Sequence, residues 1–120
     1  MKIWKQADAG WRKVREGVYN RMLAQEGFTA ISMIKFEKGA EYPLHKAISK
    51  HFGIVVKGHG VFYSGKNEAP FTEGDTFLVE TDEDHRFTNT SDGELIVMEV
   101  FAPPSPRQIE LAEKAVREDF

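Results

Sequence analysis

Residues 39–58 read GAEYPLHKAISKHFGIVVKG, and this stretch decides the fold. Glycines bracket it. Pro43 fixes its own φ and biases Tyr42 toward extended backbone. Positions 45, 47 and 51 share parity, so on extended chain His45, Ala47 and His51 face one side. The run from His51 to Lys57 has the length and composition of a strand. A second stretch, residues 74–89, reads GDTFLVETDEDHRFTN. It opens on a Gly-Asp turn, passes through a short apolar strand and delivers His85. Imidazole is the commonest protein ligand for zinc, nickel, copper and iron. Three imidazoles meeting inside a small β-barrel would make a metal site with open positions.

Glycine recurs every ten to twenty residues, with β-branched and aromatic residues between. That spacing predicts an all-β sandwich or barrel. Strands are expected at residues 18–24, 28–36, 41–46, 51–57, 61–64, 76–79, 85–89 and 94–101, within a total of about nine. Phe52, Phe62, Phe77, Phe87, Met33 and Met98 read as barrel core. Trp4 and Trp11 belong to an N-terminal strand that covers an edge, its own or a partner's. At the other end Ser105, Pro106 and Gln108 form a helix start: N-cap, first-turn proline and capping-box partner. Ile109, Ala112 and Val116 follow at helical spacing, with Glu110/Lys114 and Glu113/Arg117 as (i, i+4) pairs. A helix over 106–118 is predicted behind a barrel over 11–102, in one domain spanning 1–120.

The 120 residues are 41% apolar and 29% charged, ordinary for a globular domain. No window approaches the ~18 apolar residues of a membrane span. The N-terminus lacks the apolar core of a signal peptide, so a cytoplasmic location is expected. The lack of cysteine excludes disulfides, thiolate metal sites and cysteine nucleophiles. Net charge is −3 and the 16 basic residues are scattered, which argues against nucleic-acid binding. No phosphate-cradling loop is present: Gly58-His59-Gly60 is too short and lacks the Lys-Ser/Thr partner.

The two histidine stretches together resemble the cupin superfamily. Its first motif begins with Gly, five residues and His-x-His, and ends on Gly; Gly39, His45, His51 and Gly58 hold those positions. Its second motif ends His-x-x-x-Asn, met by His85 and Asn89. The second His of the first motif is Ala47 here, and its usual Glu or Gln is His51. The resemblance implies a double-stranded β-helix, or jelly roll. It carries over as ligands only His45, His51 and His85, for a divalent transition metal: zinc, nickel, iron, copper or manganese. It also implies a homodimer.

After Glu94, residues 95–101 of the strand expected at 94–101 are apolar on both parities except for Glu99, which would point inward as an acid or base. Small cupins that open unsaturated uronates look similar here, with an Asp-x-Phe-x-Pro-Pro-Arg strand. This chain has Glu99, Phe101, Pro103 and Pro104, but Ser105 at the Arg position, with Arg107 two residues on. Arg21 is expected to reach the barrel mouth and bind an anionic substrate. His59, between glycines, reads as solvent-exposed. The expected function is a metal-dependent lyase or isomerase of a small polar or sugar-acid substrate. The alternatives are a non-catalytic small-ligand binder or sensor and a three-His iron dioxygenase.

Overall fold

A computed structural model describes residues 1–6, 10–47, 49–65, 67–113 and 116–119. The chain order is β1 (Lys2–Lys5), β2 (Arg12–Arg15), β3 (Val18–Glu26), β4 (Thr29–Phe36), β5 (Glu41–Lys46), β6 (His51–Lys57), β7 (His59–Ser64), β8 (Asn67–Thr72), β9 (Thr76–Val79), β10 (Asp84–Asn89), β11 (Leu95–Phe101), α1 (Pro106–Ala112) and β12 (Val116–Asp119). A six-stranded antiparallel sheet runs β2-β3-β4-β11-β6-β9, and a four-stranded one runs β5-β10-β7-β8. The all-β jelly roll and the short helix are as the sequence predicts.

The core lies between the sheets. Inward residues of the large sheet (Val18, Phe36, Val55, Leu95 and Val97) meet Phe71 and Phe87 of the small one, with Phe62 and Phe77 packed against them. Phe62 and Phe87 stack with ring centroids 5.0 Å apart. Strand β10 shows how alternation divides the labour: its inward residues His85, Phe87 and Asn89 are all buried. The first belongs to the cavity, the second to the core. The third ties the far end together. Asn89 Nδ2 donates to the carbonyls of Phe36, Glu37 and Gly93, and its Oδ1 accepts from Ser91.

Close approach requires glycine at several positions, Gly53 and Gly58 among them. Any Cβ at Gly53 would run into the Phe77 ring. Gly58 turns the chain from β6 to β7 with φ of 83°, and a Cβ there would lie 2.5 Å from the Glu94 carbonyl.

Three core assignments are corrected. Phe52 is 59% exposed. Met33 and Met98 pair directly across β4 and β11 on the outer face, opposite the buried Ser32, Val97 and Glu99. These strands are apolar on both faces, so composition alone does not mark the inner one.

The helix is also shorter than expected. Its capping box is present, with Gln108 N donating to Ser105 Oγ at 3.2 Å and Ser105 N to Gln108 Oε1 at 2.7 Å. It stops at Ala112, and residues 116–119 pair antiparallel with β1 instead. Backbone pairing with a distant strand outweighs the local helical pattern there. Of the expected (i, i+4) pairs, Lys114 lies outside the described residues and Arg117 is in a strand. Arg107 pairs with Glu110 instead, at 3.2 Å. The N-terminal tryptophans serve their own chain. Trp4 sits opposite Arg117 in the β1–β12 ladder, and Trp11 lies under Lys35 and Arg21. No helix among the described residues is long and apolar enough to cross a membrane.

Candidate functional site

One mouth of the barrel opens into a cavity of about 260 Å3, walled by both sheets and by α1. His45 enters from β5 and His85 from β10, where the two are direct cross-strand partners. His51 enters from the first position of β6. Glu99 enters from β11, one of the two middle strands of the large sheet. His51, His85 and Glu99 are buried, whereas His45 is half-buried at the rim. Ala47 lines the same cavity, so positions 45, 47 and 51 share its wall as their parity predicts.

Each imidazole is oriented in the same way. His45 Nδ1 lies 2.9 Å from the Pro43 carbonyl, His51 Nδ1 2.9 Å from that of Ser49, and His85 Nδ1 3.1 Å from that of Glu83. A carbonyl oxygen can only accept, so each Nδ1 carries a proton and donates it. In neutral imidazole the lone pair then falls on Nε2, the nitrogen that a cavity ligand would meet. In all three cases the acceptor is the residue two positions back. Glu83 also fixes the loop before His85: its carbonyl accepts from Ala47 N, and its carboxylate accepts from Ser64 Oγ and Glu80 N.

The rings are close but not equivalent. His45 and His85 have centroids 4.0 Å apart, and His51 and His85 5.9 Å. His51 Nε2 faces Glu99 Oε2 at 2.8 Å, and its ring stacks on Phe101 at 4.5 Å. Since Nδ1 is already a donor, a proton must lie between His51 and Glu99. Burial pulls the His51 pKa down, but the bond and charge of Glu99, helped by the Ser49 carbonyl and Glu83, leave it raised. Burial dominates at His85 and lowers its pKa, so that ring is held neutral. Among the described residues, no three His, Cys, Asp or Glu side chains are disposed to hold a metal ion as they stand. The expected convergence of three imidazoles therefore holds at the level of the cavity and not of a preformed ligand cage.

Arg21 is corrected. The lining residues of β3 are Asn20 and Met22, of the other parity. Arg21 projects from the opposite face, with its guanidinium 4.8 Å from the Trp11 ring centroid. The basic residues at the cavity are Arg12, Lys46 and Arg107. Lys46 pairs with Asp84 at 3.2 Å. No acidic partner of Arg12 exists among the described residues. Ser105 also lines the cavity, two residues before Arg107. Tyr42 packs on His45, its ring centroid 4.4 Å away, and burial, followed by the Glu99 charge, raises its phenol pKa. His59 is exposed, as expected, and bonds Thr90 Oγ1 at 3.1 Å. The sequence reading missed Arg12, Tyr42 and Ser49. Tyr42 has the opposite parity to His45 and faces the cavity because the register shifts between the His85–His45 and Phe87–Tyr42 pairs, an irregularity that no local pattern marks; Arg12 carried no local signal either.

The cupin domain family matches residues 32–101, a span that contains all three cavity histidines, Asn89 and Glu99. The chain is a cupin. No curated protein matches the sequence. Among solved structures, this cupin is similar to KdgF from Halomonas sp., at 19% identity and a TM-score of 0.80 over 88% of this chain and 96% of that one. It is similar to an RmlC-like cupin from Shewanella frigidimarina NCIMB 400, at 22% identity and 0.79 over 88% and 93%. It is also similar to a cupin-superfamily sugar phosphate isomerase from Silicibacter pomeroyi, at 18% and 0.72 over 85% and 75%. At these identities the likeness is one of fold.

Proposed function

We propose that this cupin is a metal-dependent lyase or isomerase acting on a small anionic, oxygen-rich substrate such as a sugar acid. The observation that carries this reading is the common tautomer of three imidazoles around one cavity. Each Nδ1 is committed to a carbonyl, which leaves three Nε2 atoms as the donors. The donor set suits a divalent transition metal on His45, His51 and His85, with His51 exchanging its contact to Glu99 for the ion. Three neutral ligands would leave the ion its full charge for polarising a substrate oxygen.

The remaining roles belong to the chain's own side chains. Glu99 is the only carboxylate among the described residues that line the cavity, and it is buried. It would take a proton from the substrate and return it at a neighbouring position, the transfer common to β-elimination and isomerisation. Tyr42, which keeps its proton, would donate a hydrogen bond to a substrate oxygen. Arg12 and Arg107 would bind the substrate's carboxylate or phosphate at the mouth, in place of the arginine that the uronate-opening cupins carry at position 105. The sugar phosphate isomerase of the same fold supports a substrate of this class.

The test is turnover of a panel of uronates, unsaturated uronates and sugar phosphates by metal-loaded protein, followed by NMR of the substrate. Wild-type protein is expected to convert at least one. Glu99→Gln should lower kcat by about 100-fold or more, with binding changed little. Equal kcat in the two proteins removes Glu99 from the chemistry. Tight binding of a sugar acid with no conversion makes the chain a ligand-binding cupin.

A further inference from the structure

One turn beside the cavity carries more hydrogen bonds than its own closure requires. Residues 80–83 join β9 to β10, and Glu83 N donates to the Glu80 carbonyl at 3.1 Å. The Glu83 side chain closes the turn a second time. Its carboxylate accepts from Glu80 N at 3.0 Å and from the hydroxyl of Ser64, the residue opposite His85 on β7. Asp82, inside the turn, has a positive φ of 64°, alone among the described residues other than glycine. Its N–H donates to the Ala47 carbonyl at 2.8 Å. The Glu83 carbonyl then accepts twice, from Ala47 N at 3.1 Å and from His85 Nδ1 at 3.1 Å.

We propose that Glu83 is the positioning residue for His85: its side chain sets the direction of its own carbonyl, and that carbonyl keeps the proton on Nδ1 and the lone pair on Nε2. The proposal deepens the metal-dependent reading and rests on His85 as a ligand. Rotation of the 83–84 peptide would turn the carbonyl away from the ring. The carboxylate opposes that rotation by holding Glu83 to β7 at one oxygen and to the head of the turn at the other. A neutral imidazole without that acceptor is free to carry its proton on Nε2, which removes the lone pair that faces the cavity. The β8–β9 turn uses the same device away from the cavity. Asp75 N donates to the Thr72 carbonyl at 3.0 Å, and Asp75 Oδ2 accepts from Thr72 N at 2.9 Å. That turn lies at the other end of β9 and supplies a control for loosening of the fold.

The experiment is 15N NMR of the histidine rings in metal-free protein, at a pH where His85 is neutral, joined to calorimetric titration with Zn2+. The proteins are wild type, Glu83→Ala, Glu83→Gln, Ser64→Ala and Asp75→Ala. Glu83→Ala is expected to move His85 toward the Nε2–H tautomer, to leave His45 as it was and to weaken Zn2+ binding about 10-fold. Glu83→Gln should restore both, because its amide oxygen can accept from Glu80 N while its NH2 donates to Ser64 Oγ. Asp75→Ala should lower Tm with the His85 tautomer unchanged. A His85 that keeps Nδ1–H in Glu83→Ala overturns the proposal, as does an equal change of tautomer in Asp75→Ala. Should Glu83→Ala fail to fold, Ser64→Ala, which removes one of the two anchors, decides by the same spectrum. Wild type that binds no Zn2+ overturns the metal-dependent function instead, and the tautomer comparison still decides the role of Glu83.

Discussion

Alanine at His45 or at His85 is expected to lower affinity for a divalent metal by roughly 100-fold, while alanine at His59 leaves it unchanged. A four-ligand zinc site is worth about 10–16 kcal/mol, so each ligand carries on the order of 3 kcal/mol. His45 and His85 are cross-strand partners on β5 and β10, and each presents Nε2 after giving its Nδ1 proton to a carbonyl two residues back. His59 is exposed at the far side of Gly58 and bonds only Thr90 among the described residues. Calorimetric titration with Zn2+ checks this. The pH dependence has a definite sign. The raised pKa of His51 means that metal must displace the proton it shares with Glu99. Binding therefore releases that proton, and affinity rises with pH through the His51 titration. His85, already held neutral by burial, contributes little to that slope. Affinity independent of both substitutions would remove these rings as ligands.

Alanine at Asn89 is expected to destabilise the fold by about 3 kcal/mol, the largest effect of any single polar substitution away from the cavity. The side chain is buried, and its amide spans three segments. Nδ2 donates to Phe36 O at 3.2 Å, to Glu37 O at 2.9 Å and to Gly93 O at 2.9 Å, while Oδ1 accepts from Ser91 N at 2.9 Å. Removing it leaves several buried groups without partners, each costing about 1–3 kcal/mol, offset in part by water entering at the partly buried ones. In a chain of this size the loss corresponds to a fall in Tm of roughly 10 °C. Asn89→Asp should be at least as damaging, because a carboxylate would face three carbonyls with no proton to give. Thermal unfolding of both variants with Tm unchanged would show that the clasp contributes nothing.

Asn89 shows what the sequence could and could not carry. Its place four residues after His85 was legible as the close of a motif, and its buried clasp became visible only with the fold. Glu99 was readable because a lone carboxylate in an apolar strand must find a partner, which proved to be His51. Arg21 was not readable in this way. Period 2 says that Tyr19, Arg21 and Leu23 share a face, yet not which face, and the cavity took Asn20 and Met22 instead. The same ambiguity hid the outward direction of Met33, whereas Phe52 and Met98 adjoin the inward His51 and Glu99, so alternation places both outside and their apolar character misled. Strand β8 went unpredicted because Pro70 and Glu68 suit an edge strand and weaken the local signal. Residues 116–119 followed a long-range pairing with β1 that no local pattern encodes.

The most direct measurement is the 15N NMR of the imidazole rings during titration with one equivalent of Zn2+. His45 and His85 are expected to begin as the Nδ1–H tautomer. Their Nε2 resonances, with that of His51, should then move together to metal-bound values while His59 stays in place. Rings of the opposite tautomer, or a titration that moves His59 and leaves the cavity histidines untouched, would contradict it.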